Sequence, residues 1–424
     1  MIRCVPTTGM MQIVTISSLV TFLWLVYGYS LAFSPTQSNG SQYNIYGNSE
    51  RLWLRGMMLK SAHFLAPTIP EALFCTYQLG FAILTAGLIC GTLADRMKYH
   101  SMIIFITFWH IMVYCPIAHC NWHPHGLLYK LGVLDYAGGN VVHICSGMSG
   151  FAATLVIGNR EGFGKERYKP HNMLMTLVGL CMLWVGSYGF NAGSGYKANH
   201  NACYALLATQ IATSVSGLMW MFLEWVIWRE PSIYGLMSGA IAGLVCITPA
   251  VGYVDMTGAF FVGFVGGPLC YLFVFLRHML GFNDAFDGFG VHAVGGIIGG
   301  LATGILATDQ VALPFAYGDK RGIAIDSVIF SSPGVGAQQL KVQAIGIAFT
   351  MCWSFIGTLI LLVLMKYTIG LNVSEEEEGE EKEDEVHSKR NGDVKSASVN
   401  EEFSITIPNP IGVGMLSSLP TCTV

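Results

Sequence analysis

Charged side chains are scarce in this chain. Asp, Glu, Lys and Arg make up 11% of its 424 residues, where an ordinary soluble chain carries about a quarter. Apolar residues are 53% and the mean hydropathy is +0.52, so a solvated globular domain is excluded and a membrane protein is expected. No basic patch is visible, which argues against nucleic acid as a partner. The 12 cysteines contain no CxxC pair and fall singly, mostly in apolar runs. That spacing excludes a disulfide framework or a zinc cluster and leaves small buried hydrophobes as the expected role. No short basic-then-apolar leader with a cleavage site begins the chain. The first apolar run, Met10 to Phe33, is long enough to span and reads as an uncleaved anchor.

Ten runs are candidate spans, at about 11–33, 67–94, 100–119, 136–157, 173–191, 201–228, 233–252, 256–277, 288–308 and 341–368. The composition, with Gly 50 and Met 20, suits helices that approach closely in lipid. An all-α polytopic membrane protein is therefore expected, with a stub at 1–9, a membrane domain at 10–370 and a tail at 371–424. The charge is unevenly placed. Residues 371–402 carry 12 acidic and 4 basic side chains, leaving 14 acidic and 18 basic elsewhere. The run EEEEGEEKEDE at 375–385 reads as a solvated, disordered segment. An even number of spans puts both termini on one side. The basic loop GNREGFGKERYKPHN at 158–172 points to the cytoplasm, while Arg51, Arg55 and Lys60 lie in the first loop on the opposite side. The sequon Asn39-Gly40-Ser41 in that first loop favours a cytoplasmic tail and a cell-membrane location.

Two histidines occupy nearly the same setting about 150 residues apart. His143 has Gly139 and Gly147 four residues to either side, and His292 has Gly288 and Gly296. On a helix these share one face with the histidine, so bare backbone is expected above and below each ring. Asp135 and Asp287 precede them near the expected helix starts, where the dipole favours a carboxylate. A single such histidine is more often a satisfied core residue. The repeated setting points to a pathway, since ionisable groups within a span usually mark one.

A second constellation is aromatic. Tyr77 and Phe81 share a helix face with Gln78 beside them, Trp122 ends a span, and Phe190 opens the segment FNAGS that supplies Ser194. Singly, these read as interfacial anchors or core. Together, the π faces of Trp122 and Phe81 with the Ser194 hydroxyl could hold a small cation.

At these residues the chain resembles a known family. GVLDYAGGNVVH, GFGKERYKPHN, GFNAGS, SGAIAGLV, ITPA, GYV and DGFGVHAVGGI are similar to the signature segments of the ammonium transporter family (Amt/Mep/Rh), on its Amt side, over about residues 10 to 372. The resemblance implies a bundle of two inverted-topology halves around a pore, assembled as a homotrimer. It implies an ammonium recruitment site at Trp122, Phe81 and Ser194, a stacked phenylalanine gate at Phe81 and Phe190, pore histidines at His143 and His292, and a structural acid at Asp135. The expected substrate is ammonium, with methylammonium as analogue and lipid as surroundings. No cofactor, metal or enzymatic activity is implied. A bare ammonium ion in hydrocarbon faces a penalty of several to roughly tens of kcal/mol and ammonia little. Capture, loss of a proton and passage of the neutral amine are therefore expected; K⁺ has no proton to shed.

The chain also departs from the family pattern. The family has eleven spans, and here only MIRCVPTTG precedes the run that matches its second, so the first helix is expected to be missing. Ser187 stands where the family has a tryptophan. The loop after Trp122 reads HPHG, and His123 and His125 there suggest a titrating external loop more than a metal site. The tail lacks the family's usual Gly-x-Asp and His-Gly-Glu segment. A non-transporting ammonium sensor or defective paralogue is thus the alternative. An intramembrane metalloenzyme is weak because no acidic ligand shares the depth of His143 and His292, and a scaffold gives no reason for a paired histidine.

Overall fold

The structure is a computed structural model, and it describes residues 6–34, 44–93, 96–159, 172–280, 283–284, 287–308, 311 and 333–372. The sequon at 39–41, the basic loop at 160–171 and the acidic tail lie outside the described residues.

Nine described helices are long and apolar enough to cross a membrane, and a tenth is shorter. We number them α1 Gly9–Phe33, α2 Glu71–Leu93, α3 Tyr99–Trp122, α4 Gly139–Ile157, α5 Met173–Gly193, α6 His200–Trp228, α7 Ile233–Ile247, α8 Met256–Arg277, α9 Gly288–Leu306 and α10 Ala337–Thr368. No strand occurs among the described residues, only isolated bridges. The expected ten spans are present. The expected span at 233–252 ends early, at Ile247, because Pro249 has no N–H to continue the helix and the chain turns through Gly252. Local signals place several starts. Asn172, Asn199 and Ser232 cap α5, α6 and α7 by accepting the N–H groups of Met175, Ala202 and both Tyr234 and Gly235.

The two largest of five buried clusters lie in different parts of the bundle. One buried cluster is built from α1 to α4 with the end of α10, including Trp24, Phe74, Trp109 and Leu362. The other is built from α6 to α9, including Ala212, Trp220, Cys246 and Val262. Between them α4 and α9 cross. A Cβ on Gly147 would lie 2.5 Å from the Ala293 nitrogen and 2.8 Å from the Gly288 oxygen; one on Gly296 would lie 2.9 Å from the Gly139 oxygen. The start of each helix therefore meets the middle of the other, an antiparallel contact that the inverted repeat requires.

This crossing corrects one expectation. Gly147 and Gly296 serve helix contact, whereas a Cβ on Gly139 would meet Pro249 and one on Gly288 the Thr92 hydroxyl, and the turns that carry the histidines are π-helical, at Gly139–Ile144 and Gly288–Ala293. The wider turn breaks the i±4 register on which a shared α-helical face was argued. Each π turn follows a left-handed residue, Gly138 at φ 104° and Asp287 at φ 53°, and each leads into a 13-residue α-helical stretch.

Candidate functional site

Aromatic rings form one unbroken column from the end of α3 into the bundle. Trp122 meets Phe81 edge to face with centroids 5.1 Å apart; Phe81 meets Phe190 at 4.2 Å; Phe190 lies 6.5 Å from His143; and His143 lies 5.3 Å from His292. The structure thus brings together residues from α2, α3, α4, α5 and α9. Phe81 and Phe190 are inclined by 35°, so the pair is tilted where a parallel stack was expected.

At the wide end, Trp122 Nε1 donates to the Asp135 backbone oxygen at 2.9 Å, which fixes the indole plane. Ser194 is buried, donates to the Phe190 oxygen at 2.9 Å and lies 2.9 Å from the Tyr77 hydroxyl, which also donates to the Phe190 oxygen. Tyr77, grouped with Phe81 by its place on α2, thus also joins Ser194. Gln78 turns away from the column and donates to the Tyr196 hydroxyl at 2.6 Å.

The two histidines are both buried, with Nδ1 atoms 3.2 Å apart and rings within 17° of parallel. Hydrogen bonding assigns their protons. Thr248 Oγ1 donates to the Leu244 oxygen at 2.7 Å, so it can only accept from His143 Nε2, 3.3 Å away. A neutral His143 with its proton on Nε2 offers a lone pair at Nδ1, and His292 must then donate from its own Nδ1. The arrangement leaves His292 Nε2 as an acceptor. Thr248 lies in the ITPA segment, which the sequence reading quoted without assigning it a role. A cavity of about 720 Å³ runs alongside the histidines, lined among others by Phe190, His143, Thr248, His292, Ser187 and Ile241. Ser187 thus borders open space.

Asp135 is buried and accepts four backbone N–H groups, from Gly138, Gly139, Asn140 and Val141, at 2.6–3.2 Å. The expectation that Asp287 is its counterpart is corrected. Asp287 occupies the left-handed position equivalent to Gly138 and pairs with Arg277 at 2.6 Å. The equivalent acid is Asp284, which accepts the Phe289 N–H at 2.7 Å. The signal was in the spacing: Asp135 and Asp284 each stand eight residues before their histidine. His123 is also corrected as a residue of an external, solvent-exposed loop. It is buried, donates from Nε2 to the Ser34 oxygen at 2.9 Å and accepts the His125 N–H at 3.1 Å. No group of three or more His, Cys, Asp or Glu able to hold a metal occurs among the described residues.

A sequence profile of the Ammonium Transporter Family matches residues 5–391. The chain belongs to that family. It is 37% identical to the ammonium transporter of Bacillus subtilis over 362 residues, 85% of this chain and 84% of the relative. It is likewise 37% identical to the ammonium transporter Amt1 of Archaeoglobus fulgidus, covering 89% of each. The crystal structure of Saccharomyces cerevisiae Mep2 is similar with a TM-score of 0.76 and 34% identity, covering 86% of this chain and 79% of that one. For a member of this family, the column of rings and the paired imidazoles are the geometry from which an activity has to be argued.

Proposed function

We propose that the chain is a multi-pass membrane transporter for ammonium that captures the cation against Trp122, Phe81 and Ser194, releases one of its protons to the external water, and conducts ammonia past His143 and His292. The observation that carries this reading is the continuous ring column ending on two imidazoles whose Nδ1 atoms lie 3.2 Å apart. π faces attract an ammonium ion, and the hydroxyl pair at Ser194 and Tyr77 keeps lone pairs for its N–H groups. Phe81 and Phe190 offer a hydrated alkali ion no oxygen. Past them, a charged species meets apolar walls at a penalty of several kcal/mol or more, while ammonia passes. There it can donate to His292 Nε2, the lone pair that the tautomer assignment leaves free.

The reading places the membrane domain at 10–370 in the cell membrane as a homotrimer with one pore per subunit, and the tail at 371–424 in the cytoplasm. No cofactor or covalent step enters. Methylammonium uptake in yeast lacking its own ammonium transporters tests it. Uptake should saturate and resist excess K⁺, and His143→Ala or Phe81→Ala should abolish it or its selectivity. Full, ammonium-selective flux in either variant overturns the mechanism. A non-transporting sensor would bind methylammonium without accumulating it, so the same assay separates the two.

A further inference from the structure

Three histidines outside the pore converge on the end of one helix. The closing carbonyls of α1, at Ala32, Phe33 and Ser34, lack partners within the helix. Each accepts from a different imidazole: Ala32 from His119 Nδ1, Phe33 from His63 Nε2 and Ser34 from His123 Nε2, all at 2.9 Å. His63 and His123 use the same local device although they lie on separate loops. Each accepts at Nδ1 the backbone N–H two residues on, from Leu65 at 3.3 Å and from His125 at 3.1 Å. Both nitrogens of each ring are committed, so each ring is neutral with its proton on Nε2. A second proton on Nδ1 would set a donor against a donor.

What these bonds hold in place is Phe33. Its ring lies 6.4 Å from Trp122 and within 18° of parallel, and the same indole meets Phe81 at 5.1 Å. The His63 ring stacks on Phe74 at 4.3 Å, and Phe74 meets Phe33 edge to face at 5.3 Å. His123 is the next residue in the chain after Trp122. The backing of the cation site therefore hangs from the clamped end of α1.

We propose that His63 and His123 are positioning residues of the cation site: while neutral, they hold Phe33 against Trp122 and so set the affinity for ammonium. This rests on the transport reading above. The charged groups near His63 are Glu71 at the start of α2 and Arg51 of the loop, themselves paired at 3.2 Å. His123 faces other imidazoles: His119 at 4.4 Å, His125 at 5.4 Å and, further off, His63. Burial holds His63 down to about 4, and burial with its imidazole neighbours holds His123 down to about 2. Both lie below the ordinary value of about 6.5, so the released side chains take up protons first. The clamp is complete at neutral pH and weakens as pH falls below about 6.5 toward 4.

The test is the concentration dependence of methylammonium uptake between pH 7 and pH 4, where the substrate stays protonated. His63→Ala and His123→Ala should raise KM roughly fivefold, as expected for one buried hydrogen bond, with the maximal rate retained. Glutamine can donate to the carbonyl and accept the N–H without titrating. His63→Gln and His123→Gln should therefore keep the wild-type KM at pH 7 and lose part of its rise in acid. If the alanine variants fail to reach the membrane, the glutamine pair decides. Unchanged KM in the alanine variants, or a full acid rise in the double glutamine variant, overturns the proposal. Absence of uptake by the wild type itself would instead count against the transport reading.

Discussion

The two halves of the bundle build the same turn with unequal means. Around His143, Asp135 gathers four N–H groups, a glycine takes the left-handed position, and Thr248 pins the imidazole. Around His292, Asp284 takes the Phe289 N–H, the left-handed position falls to Asp287, and Arg277 reaches across to it. A left-handed backbone is strained for any side chain but costs Asp less than most. The difference teaches that the repeat preserves backbone geometry, a buried acid and a histidine, while the supporting contacts have diverged. The first half is held by hydrogen bonds to one carboxylate, the second by an ion pair.

Substitution at the crossing should break the comparison most severely. Gly147→Val drives a side chain into the backbone of Ala293 at 2.5 Å and of Gly288 at 2.8 Å, whereas Gly296→Val meets the Ile144 side chain at 2.8 Å and the Gly139 oxygen at 2.9 Å. Overpacking of this kind costs about 1–3 kcal/mol or more. We expect Gly147→Val to lose the folded peak in detergent and Gly296→Val to survive with a lowered melting temperature; equal damage would contradict the asymmetry. Next in size, Asp135→Asn surrenders charge-assisted bonds to several N–H groups and should cost about 2–3 kcal/mol, against about 1 kcal/mol for Asp284→Asn. Thermal melts of the two purified variants check the order. Smallest in stability is Thr248→Val, which removes the acceptor facing His143 Nε2 at a cost of about 1 kcal/mol. It should slow methylammonium uptake several-fold by freeing the imidazole to take the other tautomer, and Thr248→Ser should restore the rate.

Much of this was legible beforehand. Ten apolar runs predicted the ten helices, and the Gly-His-Gly repeat pointed to the helices that cross. The ring residues Trp122, Phe81 and Phe190 were visible by type and resemblance. What escaped notice depended on backbone geometry. The π turns leave no mark in apolar periodicity, so an α-helical face was assumed and Gly147 and Gly296 were given to the rings instead of the crossing. Asp287 draws the eye because it adjoins the expected helix start, and Asp284 emerges only when the two turns are aligned by their spacing to the histidines. Thr248 and Tyr77 act through hydroxyls whose partners lie 105 and 117 residues away, a distance that no local pattern spans. His123 looked like a loop residue open to solvent because the carbonyl it caps belongs to α1.

The matching π turns carry a further consequence for symmetry. A π turn widens the i→i−4 turn to i→i−5, and here both widened turns fall at the same offset from their histidine. One residue is worth about 100° of helix rotation, so both helices take the same change of phase and the antiparallel crossing keeps its two-fold character.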